Sequence, residues 1–310
     1  MFLTVCANPS VDSFWSVPSV RKGTTNRSRK ETYYPGGKGL HTALALSELG
    51  QPVKTLGLWG GQTGQWLRQE CEQRNIATFG PTAESWNRLC ITLRSDSEWN
   101  ETELLGQGPK ATAESVNSFQ QAFNQSIWND DITAVIISGS QPLGFQDDFY
   151  GQLVEEAKKR NIATFVDASG SLLQQTFPAR PFGIHINHKE GQTLSNYGDP
   201  ADIARWLSEH CELAAVTAGA DGLYMGFEKK LFHASYTIDQ NRIFSTIGSG
   251  DCLLAGLCLA HSMHDNPEYW ARFAVACGSA NCLHQPLGML NSKDVEDILP
   301  KVTVRNIKKS

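Results

Sequence analysis

A glycine-rich turn that runs directly into an apolar segment is the feature that most constrains this chain. The turn is Gly248-Ser249-Gly250-Asp251, and residues 252–260 after it read CLLAGLCLA. The apolar segment is too short to span a membrane and is typical of a buried helix. Free N–H groups at the start of such a helix, together with the positive end of its dipole, form a site for an anion such as a phosphate.

Asp251 adds a second chemical group to this turn. A carboxylate in the first turn of the helix could accept a proton from a hydroxyl held beside the bound phosphate. The alternative interpretation is a capped, buried helix that follows an ordinary glycine turn. These residues alone support the two interpretations equally.

Further sequence blocks lie before this turn, at residues 8–12 (NPSVD), 35–40 (PGGKGL), 137–142 (ISGSQP) and 217–222 (TAGADG). With the Gly248–Asp251 turn, which is similar to a GAGD-type signature, they resemble the pfkB family of ribokinase-like sugar kinases. The blocks follow the order of the family and cover nearly the whole chain. The chain is most similar to the tagatose-6-phosphate kinase and 1-phosphofructokinase branches of that family.

The resemblance implies an α/β fold of the ribokinase-like type. Its parts are a doubly wound, mostly parallel sheet flanked by helices and a small β-sheet lid. The sequence favours the same class, because short apolar strands alternate with helical segments from residue 134 onward. Residues 1–310 are expected to form one kinase domain, with the lid at about 13–34 and 86–106. A lid with exposed strand edges also favours a homodimer.

The activity implied by the resemblance is ATP-dependent phosphorylation of a hydroxyl on a phosphorylated ketohexose. The two substrates considered are tagatose 6-phosphate and fructose 1-phosphate. Asp251 is the expected base, and the amides of Gly248, Ser249 and Gly250 are expected to stabilise the transferred group. Two alternatives stay open: a kinase for an unphosphorylated sugar or a nucleoside, and a catalytically weak sugar-phosphate sensor.

Several residues correspond to acceptor-side positions of the family. Three of them are cations that would bind the phosphate already present on the sugar, and Asp12 would hold sugar hydroxyls. A lysine at a helix start, such as Lys38, is unfavourable for the helix dipole unless an anion also binds there. The expected acceptor-side residues are Asp12, Arg27, Gly36, Gly37, Lys38, His41, Arg88 and Ser140.

A second set of residues corresponds to nucleotide-side positions. The pair Asn187 and Glu190 matches an N-x-x-E motif, which implies Mg²⁺ on the triphosphate of ATP, held largely through water. This fits the reluctance of magnesium to lose its hydration shell. The expected nucleotide-side residues are His185, Asn187, Glu190, Thr217, Gly219, Gly222 and Asn281.

Two histidines depart from the family pattern. His41 occupies a position where the family usually has an asparagine that contacts the sugar. His185 occupies the position of a nucleotide-side lysine. A lone histidine is more often a structural residue than a catalyst, so neither is assigned a catalytic role here.

The composition limits the compartment and the classes of partner. The net charge of −5 argues against a general nucleic-acid or membrane surface. Eight cysteines occur without a C-x-x-C pair, so zinc and redox motifs have no support. No signal peptide or transmembrane segment is evident, which predicts a cytoplasmic protein with reduced cysteines.

Overall fold

Strands and helices alternate along most of the chain in the computed structural model, which describes residues 1–95, 101–285 and 288–308. The strands are β1 (Phe2–Cys6), β2 (Ser10–Val17), β3 (Lys30–Gly36), β4 (Val53–Gly57), β5 (Trp59–Gly60), β6 (Ile76–Phe79), β7 (Thr82–Ala83), β8 (Arg88–Ser95), β9 (Glu101–Leu105), β10 (Ala134–Ser138), β11 (Ala163–Asp167), β12 (Gly183–Asn187), β13 (Leu213–Thr217), β14 (Leu223–Phe227), β15 (Lys230–Ser235) and β16 (Thr303–Asn306). The helices are α1 (Lys38–Glu48), α2 (Gly61–Glu72), α3 (Ala113–Asn129), α4 (Phe149–Lys158), α5 (Gly170–Gln174), α6 (His188–Ser195), α7 (Pro200–Leu207), α8 (Ser249–Met263), α9 (Pro267–Asn281) and α10 (Ser292–Ile298).

The main sheet is arranged on both sides of β1, which is buried along its whole length. Its strand order is β16-β15-β14-β13-β12-β11-β10-β1-β4-β6. The strands from β13 to β6 in this order are parallel, and β14, β15 and β16 form an antiparallel extension at one edge. The chain passes from β1 to β4 and β6 on one side and returns to β10 on the other. Open α/β sheets bind ligands at such a reversal, beyond the carboxyl ends of the strands.

Two hydrophobic layers cover the main sheet, because successive side chains of a strand point to opposite faces. In β1, Leu3 and Val5 belong to the layer that contains α3, α4 and α7. Phe2 and Cys6 belong to the opposite layer, with α1, α8 and α9. Residues 251–260 of α8 are all buried, and their packing in that layer sets the orientation of the first turn of the helix.

A second, smaller sheet has the strand order β3-β2-β8-β9. β2 pairs antiparallel with β3 and parallel with β8, and β8 pairs antiparallel with β9. The predicted lid segments, 13–34 and 86–106, contain most of these strands, but β2 begins at Ser10 and β3 ends at Gly36. Residues 96–100 of the predicted lid lie outside the described residues.

The predicted α/β architecture, with a mostly parallel sheet flanked by helices and a small separate sheet, is confirmed. All eight cysteines are buried and have free thiols. Within the ranges that the structure describes, no helix has the length and apolar character needed to cross a membrane. The division into one kinase domain with a lid stays a prediction.

Candidate active site

The glycine turn before α8 requires a backbone that other residues rarely adopt. Gly248 has a φ of 83°, and a Cβ on it would lie 2.3 Å from the Cα of Gly288. The N–H of Ser249 donates to the carbonyl of Thr246 at 3.2 Å. Among the described residues, no acceptor is found for the N–H of Gly250, so this group at the helix start remains available to an anion.

Asp251 lies in the first turn of α8 and is buried. Its Oδ2 is 2.9 Å from Nδ1 of His41. Burial raises the pKa of Asp251 above its usual value, although the hydrogen bond and charge of His41 act in the opposite direction. A carboxylate with a raised pKa is a stronger base, which suits it to accept a proton from a hydroxyl.

His41 connects Asp251 to a second carboxylate. Its Nε2 lies 3.1 Å from Oδ2 of Asp12, within ion-pair distance, and Oδ1 of Asp12 accepts a hydrogen bond from Ser10 at 2.6 Å. Burial is the largest influence on His41 and lowers its pKa. The hydrogen bonds and charges of Asp12 and Asp251 outweigh burial and raise the pKa of His41 to about 10.

Gly36 allows the approach of Asp12 to this group. A Cβ on Gly36 would lie 2.0 Å from Cγ of Asp12, so any side chain there would displace the carboxylate. Gly37 follows with a φ of 96° and forms the N-cap of α1, which carries Lys38 and His41. The two glycines therefore bring the acceptor-side strand and the helix start together.

Lys38 contacts acidic groups on the nucleotide side of the site. Its Nζ donates to Oδ1 of Asp167 at 2.7 Å and lies 3.9 Å from Oε1 of Glu190. Burial opposes the charge of Lys38, but Asp167, Asp251 and Glu190 outweigh it and raise the pKa of the lysine. Lys38 therefore stays protonated and lies beside the predicted triphosphate position.

Asp167 holds both Lys38 and His185. Its Oδ2 is 2.9 Å from Nδ1 of His185, and its side chain is 1% exposed. Burial alone would raise the pKa of Asp167, but the charges and hydrogen bonds of Lys38 and His185 lower it below its usual range. Asp167 is therefore ionised at neutral pH.

His185 is a buried strand residue that connects β12 to the glycine turn. Its Nε2 is 3.2 Å from Oγ1 of Thr217. A Cβ on Gly250 would lie 3.1 Å from Cε1 of His185, so the ring packs against the start of α8. The imidazole occupies the space between the predicted nucleotide side and the anion site.

Asn187 and Glu190 form a capping box at the start of α6. The N–H of Glu190 donates to Oδ1 of Asn187 at 2.9 Å, and the N–H of Asn187 donates to Oε2 of Glu190 at 3.0 Å. Oε1 of Glu190 takes no part in the capping box and lies 3.9 Å from Nζ of Lys38. Because the side-chain oxygens of the capping box already accept hydrogen bonds, they suit contact with a magnesium ion through its water ligands. Among the described residues, no group of three or more His, Cys, Asp or Glu is placed to hold a metal directly.

The other predicted nucleotide-side residues lie at the end of β13, in the turn after it and at the end of α9. Gly219 and Gly222 have φ values of 58° and 92° and form a tight turn after β13. A Cβ on Gly219 would meet open space, which leaves room above the turn for a ligand. Asn281 is buried in α9, and its Nδ2 donates to the carbonyl of Met289 at 2.7 Å.

The three predicted phosphate-binding cations occupy different surroundings. Arg88 is half-buried and donates to the carbonyls of Asn8 at 3.2 Å and Gly106 at 3.5 Å. Arg27 is exposed in the segment between β2 and β3, and no hydrogen bond or ion pair joins it to any described residue. Lys38 pairs with Asp167, so among the described residues the three cations share no hydrogen-bond or ion-pair partner.

Ser140 is exposed, and its hydroxyl oxygen accepts a hydrogen bond from Asn8 at 3.3 Å. Since Asn8 also binds Arg88 through its carbonyl, it connects two of the predicted acceptor-side residues. The sequence analysis assigned Asn8 no role of its own. Its place directly after β1, at the carboxyl edge of the sheet, is the signal that could have identified it.

Two charged residues of the small sheet had no predicted role. Arg94 donates to Glu101 and to the carbonyl of Phe244, with its guanidinium 4.6 Å from the centre of the Phe244 ring. Glu101 accepts from Ser245 at 3.0 Å. These contacts join the small sheet to the segment before the glycine turn. A cavity of about 390 Å³ opens between them, lined by Arg94, Glu101, Glu103 and residues 243–247.

The family model described as pfkB family carbohydrate kinase matches residues 8–291 of this chain. The chain belongs to the pfkB family. A 1-phosphofructokinase of Bacillus subtilis (strain 168) is 29% identical over 313 residues, covering 99% of this chain and 100% of that protein. The predicted family membership and the expectation of an ATP-dependent carbohydrate kinase are therefore confirmed.

Solved structures share the fold along nearly the whole chain. Escherichia coli phosphofructokinase-2 in complex with substrates and products has a TM-score of 0.88 and 23% identity, over 96% of this chain and 98% of that one. Arabidopsis thaliana ribokinase complexed with ribose and ATP has a TM-score of 0.75 and 16% identity, with the same coverage of 96% and 98%. These likenesses confirm the ribokinase-like fold class of this pfkB kinase.

Replacing Asp167 by asparagine tests the network around Lys38. We expect Asp167→Asn to lower the free energy of unfolding by about 3 kcal/mol at pH 7, since removing one partner of a buried pair leaves the other uncompensated. The pKa of Asp167 is lowered in the folded protein, so its contribution is complete above pH of about 4 and is lost below it. Urea unfolding at pH values from 7 to 3 measures the difference.

The matched control is Asp130→Asn, whose carboxylate is 41% exposed and pairs with Lys54. An exposed pair contributes at most about 1 kcal/mol. The difference in the free energy of unfolding between the wild type and Asp167→Asn should be smaller at pH 3 than at pH 7. An equal difference at both pH values would show that the ion pairs do not stabilise the fold.

Proposed function

We propose that this pfkB kinase transfers the γ-phosphoryl group of ATP to a hydroxyl of a phosphorylated ketohexose. The observation that carries the proposal is the buried Asp251 in the first turn of α8, directly after a glycine turn with a free amide. A phosphoryl group at that amide would lie beside the carboxylate. Asp12, on the far side of His41, would hold other hydroxyls of the acceptor sugar.

In the proposed reaction, Asp251 accepts the proton of the acceptor hydroxyl as its oxygen forms a bond to the γ-phosphorus. The bond from the γ-phosphorus to the bridging oxygen breaks, and its electron pair leaves with ADP. Such transfers depend mainly on positioning and on neutralising charge. The Gly250 amide and the positive end of α8 would stabilise the transferred group.

Asn187 and Glu190 would hold a hydrated magnesium ion beside the triphosphate. When bound, magnesium would supply positive charge that offsets the charge of the phosphates. Lys38 would add a second positive charge on the same side, because it already contacts Asp167 and Glu190. The open turn at Gly219 and Gly222 would lie near the nucleotide, with Asn281 nearer the glycine turn.

Fructose 1-phosphate is the first acceptor to test, because the Bacillus subtilis relative named 1-phosphofructokinase matches along the whole chain. Tagatose 6-phosphate is the second, on the resemblance of the sequence blocks. A coupled assay for ADP with both compounds, free fructose, ribose and adenosine separates the candidates. Turnover with only the free sugars or adenosine would contradict the proposal that the acceptor is phosphorylated.

Replacing the proposed base gives a direct kinetic test. We expect Asp251→Asn to lower kcat about 100- to 10,000-fold and to leave the KM values largely unchanged, since the carboxylate acts mainly as the hydroxyl loses its proton. Steady-state kinetics with the best acceptor, together with titration calorimetry of acceptor binding, measures this difference.

Asp265→Asn is the matched control, because Asp265 is an exposed carboxylate just beyond the other end of α8. Its kcat should equal that of the wild type. If folded Asp251→Asn protein keeps more than about a tenth of the wild-type kcat, Asp251 is not the base.

The positions of Lys38 and Arg88 predict different kinetic defects. Lys38→Met should lower kcat/KM about tenfold to a hundredfold for phosphorylated and free acceptors alike, because the lysine lies on the nucleotide side. Arg88→Met should cause a loss of similar size for phosphorylated acceptors only. The size follows from charge-assisted hydrogen bonds of about 1.5–3 kcal/mol. If Lys38→Met lowered kcat/KM for phosphorylated acceptors only, Lys38 would instead bind the phosphate of the acceptor.

The small sheet presents an apolar outer face that supports the proposal of a homodimer. Directly paired residues of neighbouring strands share a face, and Tyr33, Ser13, Ile91 and Leu104 are paired in this way. Tyr33 is 48% exposed and Leu104 is 54% exposed. Asp12 belongs to the opposite face. A second copy of this chain would cover the apolar side and leave the site side free.

The mass in solution tests this interface. We expect the wild type to be a dimer by light scattering and Ile91→Lys/Leu104→Lys to be a monomer, because a charge buried in an apolar interface is costly. Leu143→Lys is the control, since Leu143 is 63% exposed outside the small sheet. A monomeric wild type, or a double variant that remains dimeric, would contradict the interface.

A further inference from the structure

One imidazole lies between two carboxylates at the centre of the site. Nδ1 of His41 is 2.9 Å from Oδ2 of Asp251, and Nε2 is 3.1 Å from Oδ2 of Asp12. The three side chains are 5%, 8% and 12% exposed for His41, Asp251 and Asp12. Nδ1 is therefore hydrogen-bonded to one acid and Nε2 lies at ion-pair distance from the other without hydrogen-bond geometry, and water has little access to any of the three.

The chemistry of imidazole decides which protonation state fits this arrangement. A neutral ring has one N–H and one lone pair, so one of its nitrogens would hold a lone pair about 3 Å from a carboxylate oxygen. The doubly protonated ring instead places a positive charge between the two acids and donates to Asp251 through Nδ1. The influence of Asp12 and Asp251, against that of burial, raises the pKa of His41 to about 10.

The backbone at Gly288 packs closely against the ring. A Cβ on Gly288 would lie 2.2 Å from Cγ of His41, and one on Gly248 would lie 2.3 Å from the Cα of Gly288. The Gly288 backbone is thus close to both the imidazole and the glycine turn, and the space on that side of the ring is limited.

We propose that protonated His41 is a positioning residue that couples Asp12 to Asp251 and keeps Asp251 ionised and directed at the acceptor. The inference rests on the proposed function, in which Asp251 accepts the proton of the acceptor hydroxyl. His41 is separate from the reacting atoms and acts through Asp251.

The charged groups around His41 come from three elements. Asp12 faces it from β2 and Asp251 from α8, and Glu103 of β9 interacts with it at longer range. Lys38 lowers the pKa of Asp251, and Asp167 raises it. Loss of the His41 charge removes an influence that favours ionised Asp251, so the pKa of Asp251 rises.

The kinetic test is the pH dependence of kcat in His41→Asn, which keeps a hydrogen-bonding side chain without the charge. The acid limb of the profile should move up by at least about one pH unit, which corresponds to about tenfold lower kcat on that limb. The KM for ATP should be unchanged. An acid limb at the wild-type pH in folded His41→Asn protein overturns the proposal.

A second measurement needs no activity. In wild-type protein with ¹⁵N-labelled histidine, both ring nitrogens of His41 should be protonated at pH 8, and His41→Asn assigns the signals. Asp251→Asn should lower the pKa of His41, whereas the exposed Asp130→Asn should leave it unchanged. A neutral His41 ring at pH 8 overturns the proposal, and His41→Gln assigns the signals if His41→Asn fails to fold.

The two measurements separate this proposal from the proposed function. If the wild type phosphorylates no acceptor, the proposed function fails, and the histidine spectra still decide whether His41 bridges the acids. If the wild type is active and the spectra show a neutral ring, the proposed function is supported and the proposed role of protonated His41 is wrong.

Discussion

The rest of the site depends on the pairing of buried charges. Asp12, Asp167 and Asp251 are buried acids, and burial of an unpaired carboxylate is costly. Lys38 compensates Asp167, and His41 lies between the other two. Removal of a single member would leave a neighbour unpaired. The same pairing places one carboxylate at the start of α8, where a phosphoryl group can bind.

This pairing requires close approach of backbones that come from distant parts of the chain. Gly36 admits the carboxylate of Asp12, and Gly288 lies between His41 and the turn at Gly248. Each of these contacts would be closer than 2.5 Å if the glycine carried a Cβ. The glycines of the site therefore have a packing function in addition to the proposed ligand-binding one, and this explains why they occur in short blocks.

The sequence predicted the framework well, because strands, helices and glycine blocks are local features. It predicted the alternation of β10 to β13 with helices, a small separate sheet, and the α8 turn with Asp251. It could not predict where long side chains point. Lys38 was expected at the acceptor phosphate and instead contacts Asp167, and the link from His41 to Asp251 spans 210 positions of sequence.

In the proposed reaction, the turn before α8 directs a phosphoryl group to an acceptor hydroxyl. A ³¹P NMR spectrum of the enzyme with MgATP and fructose 1-phosphate follows this transfer itself. We expect the γ-phosphate signal of ATP to fall as a new phosphomonoester signal rises at the same rate, with the original sugar phosphate retained. Loss of the γ-phosphate signal with only inorganic phosphate formed, or no loss with either phosphorylated ketohexose, would contradict it.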